Sequence, residues 1–139
     1  MYSWYTATFA IAILQTIDFS IRQCQAVILT PTREMAWQVQ KVVRALGEYQ
    51  GVKCHALIGG TAVHKEIDEL KNGAQVVVGA PGRVFDMISR QALNPEHVKI
   101  FVLDEADKML QCGFKDLIYD VFRYLPKEIQ VFYFCFEKG

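Results

Sequence analysis

Residues 101–110 read FVLDEADKML, an apolar run of Phe101-Val102-Leu103 that turns directly into Asp104 and Glu105, with Asp107 just beyond. Carboxylates are costly at the end of a buried strand unless a cation, a transferable proton or a solvated rim receives them. Adjacent acids so placed suit metal-assisted hydrolysis, one holding magnesium and its neighbour orienting the attacking water. A strand that merely feeds a helix would look similar, because a helix's first turn also favours acids. A second set of polar turns bears on the choice. Arg33 follows Pro31-Thr32 and precedes Glu34, Arg83 follows Pro81-Gly82, and Gly59-Gly60 closes another apolar run. A guanidinium beside helix-end amides can grip a phosphodiester, and paired glycines let a backbone approach closely. Either arginine alone could equally serve a surface ion pair, with Glu34 or Asp86 as partner. Together the turns suggest a track for a single strand that holds its backbone and does not read its bases. His55 and His64 have no evident acidic or thiol partner, so core or surface roles are expected. Trp37, one helical turn from Arg33 and Lys41, is expected to pack.

The elements that must position these residues alternate along the chain. AVILT (26–30), CHALI (54–58), QVVVGA (75–80), KIFVLD (99–104) and QVFYFCF (130–136) are short and rich in β-branched and aromatic residues, as fully buried strands are. Between them the period is helical: Met35, Val39, Val42, Val43 and Leu46; then Val63, Ile67 and Leu70; then Phe114, Leu117, Ile118, Val121, Phe122 and Leu125. Gly47, Gly51, Gly73 and Pro126 punctuate the ends. TATFAIAILQTI is apolar nearly all round, which predicts a helix buried on most faces. Strands alternating with helices predict an α/β fold with a mostly parallel sheet. In such sheets function gathers beyond the carboxyl ends of the strands, where all four polar turns fall.

The 139 residues suffice for one domain of ordinary size, and a hydrophobic content of 52% supplies its core. Fifteen basic and fifteen acidic side chains cancel, so phosphate binding must come from local geometry and not from a bulk field. Cys24, Cys54, Cys112 and Cys135 lie too far apart for a zinc motif, and are expected as buried, reduced thiols. The start MYSWYTATFA lacks the basic region of a signal peptide, and the apolar runs fall short of the roughly 20 residues of a membrane span. The expected compartment is the cytoplasm, with the nucleus as alternative.

The ordered set PTRE, GG, PGR and DEAD, at these spacings, resembles the DEAD-box ATP-dependent RNA helicases. The likeness runs from about Thr6 to Val131 and includes TATFAIAILQ, KVVRALGEYQG, CHALIGGT, GRVFDMI, FVLDEAD and GFKDLIYDVF. It implies a truncated RecA-like lobe of the P-loop NTPase type, with residues 1–139 as a single partial ATP-binding domain and the second helicase lobe absent. It also implies ATP and Mg2+ as cofactors. Thr6 would bind ATP and, with Asp104, the metal; Glu105 would serve the hydrolytic water and Asp107 the coupling of ATP and RNA sites. Pro31, Thr32, Arg33, Glu34, Gly59, Gly60, Pro81, Gly82 and Arg83 would line the path of single-stranded RNA. The implied partners are that RNA and translation initiation factors, with no membrane and no DNA specificity.

Departures from the family pattern shape the functional expectation. The family's Gly-Lys-Thr phosphate loop aligns with Trp4-Tyr5-Thr6, and its Ser-Ala-Thr with Cys135-Phe136-Glu137; Ala80 stands where threonine is usual. A phosphate loop needs glycine freedom and a lysine, and Trp4-Tyr5 supplies neither. The chain alone is therefore expected to be impaired in ATP binding and hydrolysis. The alternatives are a non-catalytic RNA- or partner-binding module, or the product of a degenerate helicase gene copy. The resemblance also places the strand that feeds the phosphate loop between the runs at 99–104 and 130–136; either the sheet closes up around that gap or the two strands are left with unpaired edges.

Overall fold

The computed structural model describes residues 4–59 and 62–135. Five strands, β1 (Ala26–Leu29), β2 (Cys54–Leu57), β3 (Val76–Gly79), β4 (Ile100–Asp104) and β5 (Gln130–Phe134), form one sheet in the order β2-β3-β1-β4-β5. Every neighbouring pair is parallel. The helices are α1 (Trp4–Thr16), α2 (Arg33–Leu46), α3 (Val63–Lys71), α4 (Pro81–Ser89), α5 (Ala106–Gln111) and α6 (Lys115–Arg123), with a 3-10 turn at Pro95–His97.

Side-chain alternation along the strands divides the core in two. Ala26, Ile28, Val76, Val78, Ile100 and Val102 face one cluster with Phe9 and Ile13 of α1 and Val39 and Val43 of α2. Val27, Leu29, Val77 and Phe101 face the other, with Leu70 of α3, Val84 and Met87 of α4, Met109 of α5 and Val121 of α6. At the amino rim of the sheet, buried Gln25 and Gln75 donate from Nε2 to the carbonyls of Asp18, Phe19 and Ile21, stapling the loop after α1.

Three expectations are decided here, and the second and third need correction. Of the two outcomes open between β4 and β5, the sheet closes up: the strands pair directly, from Ile100↔Gln130 to Asp104↔Phe134. Paired strands lie only about 4.8 Å apart and leave no space for another. The second concerns α1, which buries a single stripe, Thr6, Phe9, Ala10, Ile13 and Leu14, while Trp4, Ile11 and Gln15 are exposed. It lies over one side of the sheet near the β5 edge, where Tyr5 and Phe9 both meet the ring of Phe134. The third concerns the thiols: Cys24 and Cys54 are buried, but Cys112 and Cys135 are exposed. Burial pushes the Cys24 and Cys54 thiols up to about 12, so both stay protonated and inert near neutral pH.

β5 forms one outer edge of the sheet, with Val131 and Tyr133 exposed. Beside it, Phe101, Leu103, Leu110, Ile118, Tyr119 and Phe122 line an apolar groove of about 400 Å³. Among the described residues no helix is long and apolar enough to cross a membrane.

Candidate functional site

The strand registers are flush. Leu57, Gly79, Leu29 and Leu103 share one row across β2, β3, β1 and β4, so the turns that follow these strands open side by side on one rim. Across the rim the order is the Gly59 turn, Pro81-Gly82-Arg83, Pro31-Thr32-Arg33-Glu34, then Asp104-Glu105. The three turns on β2, β3 and β1 are contiguous, and the acidic turn on β4 flanks them. Gly60 lies outside the described residues, as do Phe136 and Glu137.

Each turn has a local cause. Thr30, buried at the end of β1, donates its backbone N–H to Gly79 O at 3.0 Å, which ties the exits of β1 and β3 together. Thr32 caps α2: its Oγ1 accepts the Met35 N–H at 3.2 Å, leaving Arg33 and Glu34 exposed on the first turn. Pro81 sits at the first position of α4, where its missing N–H costs nothing, and Arg83 follows within that turn. Gly59 has φ +69, a left-handed conformation that glycine adopts freely. Gly82 is different, for a Cβ there would meet only Leu117 Cδ1 at an ordinary 3.6 Å. Neither positive φ nor crowding within the chain explains Gly82.

The two arginines are held differently. Among the described residues Arg33 makes no ion pair. Arg83 lies 3.8 Å from Asp86 and 3.9 Å from Glu66, so the surface pair expected for it with Asp86 exists beside a second, buried acid. Glu66 went unnoticed in the sequence. It completes the i, i+3, i+4, i+7 stripe of Val63, Ile67 and Leu70, which is the one signal that could have found it. His55 also has a carboxylate partner that spacing did not reveal, since its Nδ1 meets Glu69. Burial lowers the His55 pKa, against the opposing pull of Glu69 and Glu66. Trp37 does not pack in the core: it is half exposed and Lys41 Nζ sits 3.5 Å from its ring centroid.

At the acidic end, Asp104 is buried at 5% exposure. Burial first, and then the neighbouring Glu105 charge, push its carboxyl up to about 6, against the Glu105 backbone hydrogen bond that lowers it. Glu105 holds a left-handed conformation, φ 52 and ψ 54, rare for a side chain with a Cβ and of the kind that collects at working sites. Asp107 is half-buried on the first turn of α5. At the far edge α1 is already helical at Trp4, which is exposed, and Tyr5 packs its ring 5.5 Å from Phe134. Thr6 is buried at 5% exposure.

Comparison with known proteins decides the family. The sequence profile of the DEAD/DEAH box helicases matches residues 6–135. The chain belongs to that family. It is 60% identical to eukaryotic initiation factor 4A-9 of Nicotiana tabacum over 126 residues, which cover 91% of this chain and 30% of the relative. It is 62% identical to eukaryotic initiation factor 4A of Drosophila melanogaster over the same share of its length and 31% of the relative's. The chain thus spans about a third of these relatives. Among solved structures, a DEAD box protein of Methanococcus jannaschii superposes with a TM-score of 0.91 at 36% identity, over 99% of this chain and 37% of that one. Dbp5 of S. cerevisiae, solved bound to RNA and ADP BeF3, gives 0.85 at 34% identity, over 97% of this chain and 34% of Dbp5. The five-stranded parallel sheet is therefore the RecA-like fold of DEAD-box helicases, all-parallel where a mostly parallel sheet was expected.

Proposed function

We propose that residues 1–139 are a partial first lobe of an RNA helicase that, on its own, holds the backbone of single-stranded RNA and does not hydrolyse ATP. The observation that carries the RNA half is the flush row of three turns on β2, β3 and β1. They set Gly59, Pro81-Gly82-Arg83 and Pro31-Thr32-Arg33-Glu34 beside one another, with two helix N-termini and two guanidinium groups on one rim. Dbp5, of the same fold, is known with RNA and a nucleotide analogue bound. Translation initiation factors are the protein partners suggested by the likeness to factor 4A.

The residues present do not fit ATP. Where the family has its flexible, lysine-bearing loop, this chain has the first turn of α1, with Trp4 bulky and exposed and Tyr5 held against Phe134. Trp4, Tyr5 and Thr6, the residues aligned with that loop, include neither a glycine nor a cationic side chain to receive a triphosphate. Asp104 by itself suits magnesium, which would supply the positive charge that a buried carboxylate lacks. Among the described residues, however, no three metal-capable side chains converge.

ATP turnover measured with and without single-stranded RNA tests this half of the reading. The chain is expected to match a Glu105→Gln control in both conditions. RNA-stimulated turnover that vanishes in Glu105→Gln would overturn it.

A further inference from the structure

We infer that Glu66 is a positioning residue for the RNA rim: a buried carboxylate on α3 that braces the Gly59 turn and the Arg83 guanidinium against each other. The inference rests on the proposed RNA reading of that rim.

Glu66 is 3% exposed, an acidic side chain set into the apolar stripe of Val63, Ile67 and Leu70 on α3. Its Oε1 accepts the Gly59 N–H at 3.1 Å, fixing the left-handed turn after β2. Its Oε2 lies 3.9 Å from Arg83 Nε, on the turn after β3. The two turns also lie close together, since a Cβ built on Gly59 would stand 3.2 Å from Arg83 Nη2. Asp86, 3.8 Å from Arg83 Nη1, holds the other side of the guanidinium. One carboxylate thus hydrogen-bonds one turn and lies at ion-pair distance, too long for a hydrogen bond, from the guanidinium of the next. Its hold on Arg83 is electrostatic and biases that side chain toward one orientation on the rim.

The brace predicts an effect opposite in sign to simple electrostatics. A carboxylate that merely sat near the track would repel phosphate, so removing it would tighten RNA binding. If Glu66 aims Arg83, removing it weakens binding despite the loss of a negative charge.

The test uses the full chain, its fold checked by far-UV circular dichroism, with a fluorescein-labelled single-stranded RNA read by anisotropy at low salt. Glu66→Ala is expected to weaken binding about fivefold, the scale of one charge-assisted phosphate contact. Glu66→Gln keeps the shape and an acceptor for Gly59, folds more readily, and is expected to weaken binding about twofold. Combined with Arg83→Ala, either loss should be less than additive; combined with Arg33→Ala, it should be additive. Unchanged or tighter binding in both Glu66 variants, while Arg83→Ala still weakens it, would overturn the brace and leave the RNA reading intact. Without RNA, the Gly59 amide should exchange with solvent faster in Glu66→Ala than in the parent. Absence of RNA binding by the parent chain would overturn the RNA reading, and with unchanged Gly59 exchange the brace would fall too.

Discussion

Replacing Asp104 by asparagine is expected to stabilise the folded chain above pH 7, by on the order of 2–3 kcal/mol. Its carboxyl is raised from 3.8 to about 6, first by burial and then by the Glu105 charge beside it. A raised carboxylate pKa means that the folded state binds the proton more tightly than the unfolded state does. The penalty is therefore absent below about pH 4, grows as pH rises through the folded value, and is complete above it. Asparagine keeps the shape and an acceptor for the Glu105 N–H but carries no charge to desolvate. The difference between parent and variant should shrink toward zero as the pH falls to about 4, which separates this term from other acids. Urea unfolding followed by far-UV circular dichroism measures it. Trp4 and Trp37 are both exposed, so their emission reports the transition poorly. A variant less stable than the parent at pH 7.5 would mean that Asp104 is already compensated within the chain. A carboxylate that destabilises its own fold is retained for something other than stability.

The second large effect is expected at Gly79. A Cβ there would stand 3.0 Å from Leu57 Cβ, 3.2 Å from Leu57 O and 3.3 Å from Val84 Cγ2. Two of these contacts belong to the neighbouring strand and cannot move without opening the sheet. Gly79→Val is expected to cost about 3 kcal/mol by overpacking and to push Val84, and with it the Arg83 turn, off the β3 exit. Gly82→Ala, three residues on, is the contrast. Its Cβ would be accommodated, and alanine in a helix is favoured over glycine, so stability should hold or rise by about 0.5 kcal/mol. A fall in RNA affinity in Gly82→Ala without loss of stability would place the reason for that glycine in the ligand. Denaturant midpoints of the two variants, set beside their RNA titrations, check both statements.

The sequence carried the strands plainly, because short runs rich in β-branched and aromatic residues between turn signals favour strand over helix, although β5, expected to be fully buried, is an edge strand with Val131 and Tyr133 exposed. The rim followed from them, since the carboxyl ends of parallel strands lie together whatever the strand order. The order itself was not legible. Pairing of β4 with β5 depends on contacts between segments distant in sequence, and the resemblance left closure of the sheet and unpaired edges both open. The α1 pattern misled for a physical reason: alanines and threonines score as apolar on any face, and only tertiary contacts decide which face is covered. Glu66 was hidden because a charged residue among charged neighbours reads as solvated surface. Its burial depends on Gly59 and Arg83, and the second of these lies on another turn of the rim.

The central claim is that the rim grips an RNA backbone through local geometry in a chain with no net charge. Anisotropy titration of labelled single-stranded RNA across a salt series tests it most directly. With Arg33 and Arg83 each neutralising one phosphate, log K is expected to fall against log salt with a slope of about −1.4, at about 0.7 per contact on a single strand. Strands of unrelated sequence should give the same line. No binding at low salt, or binding that ignores salt and depends on sequence, would contradict the account.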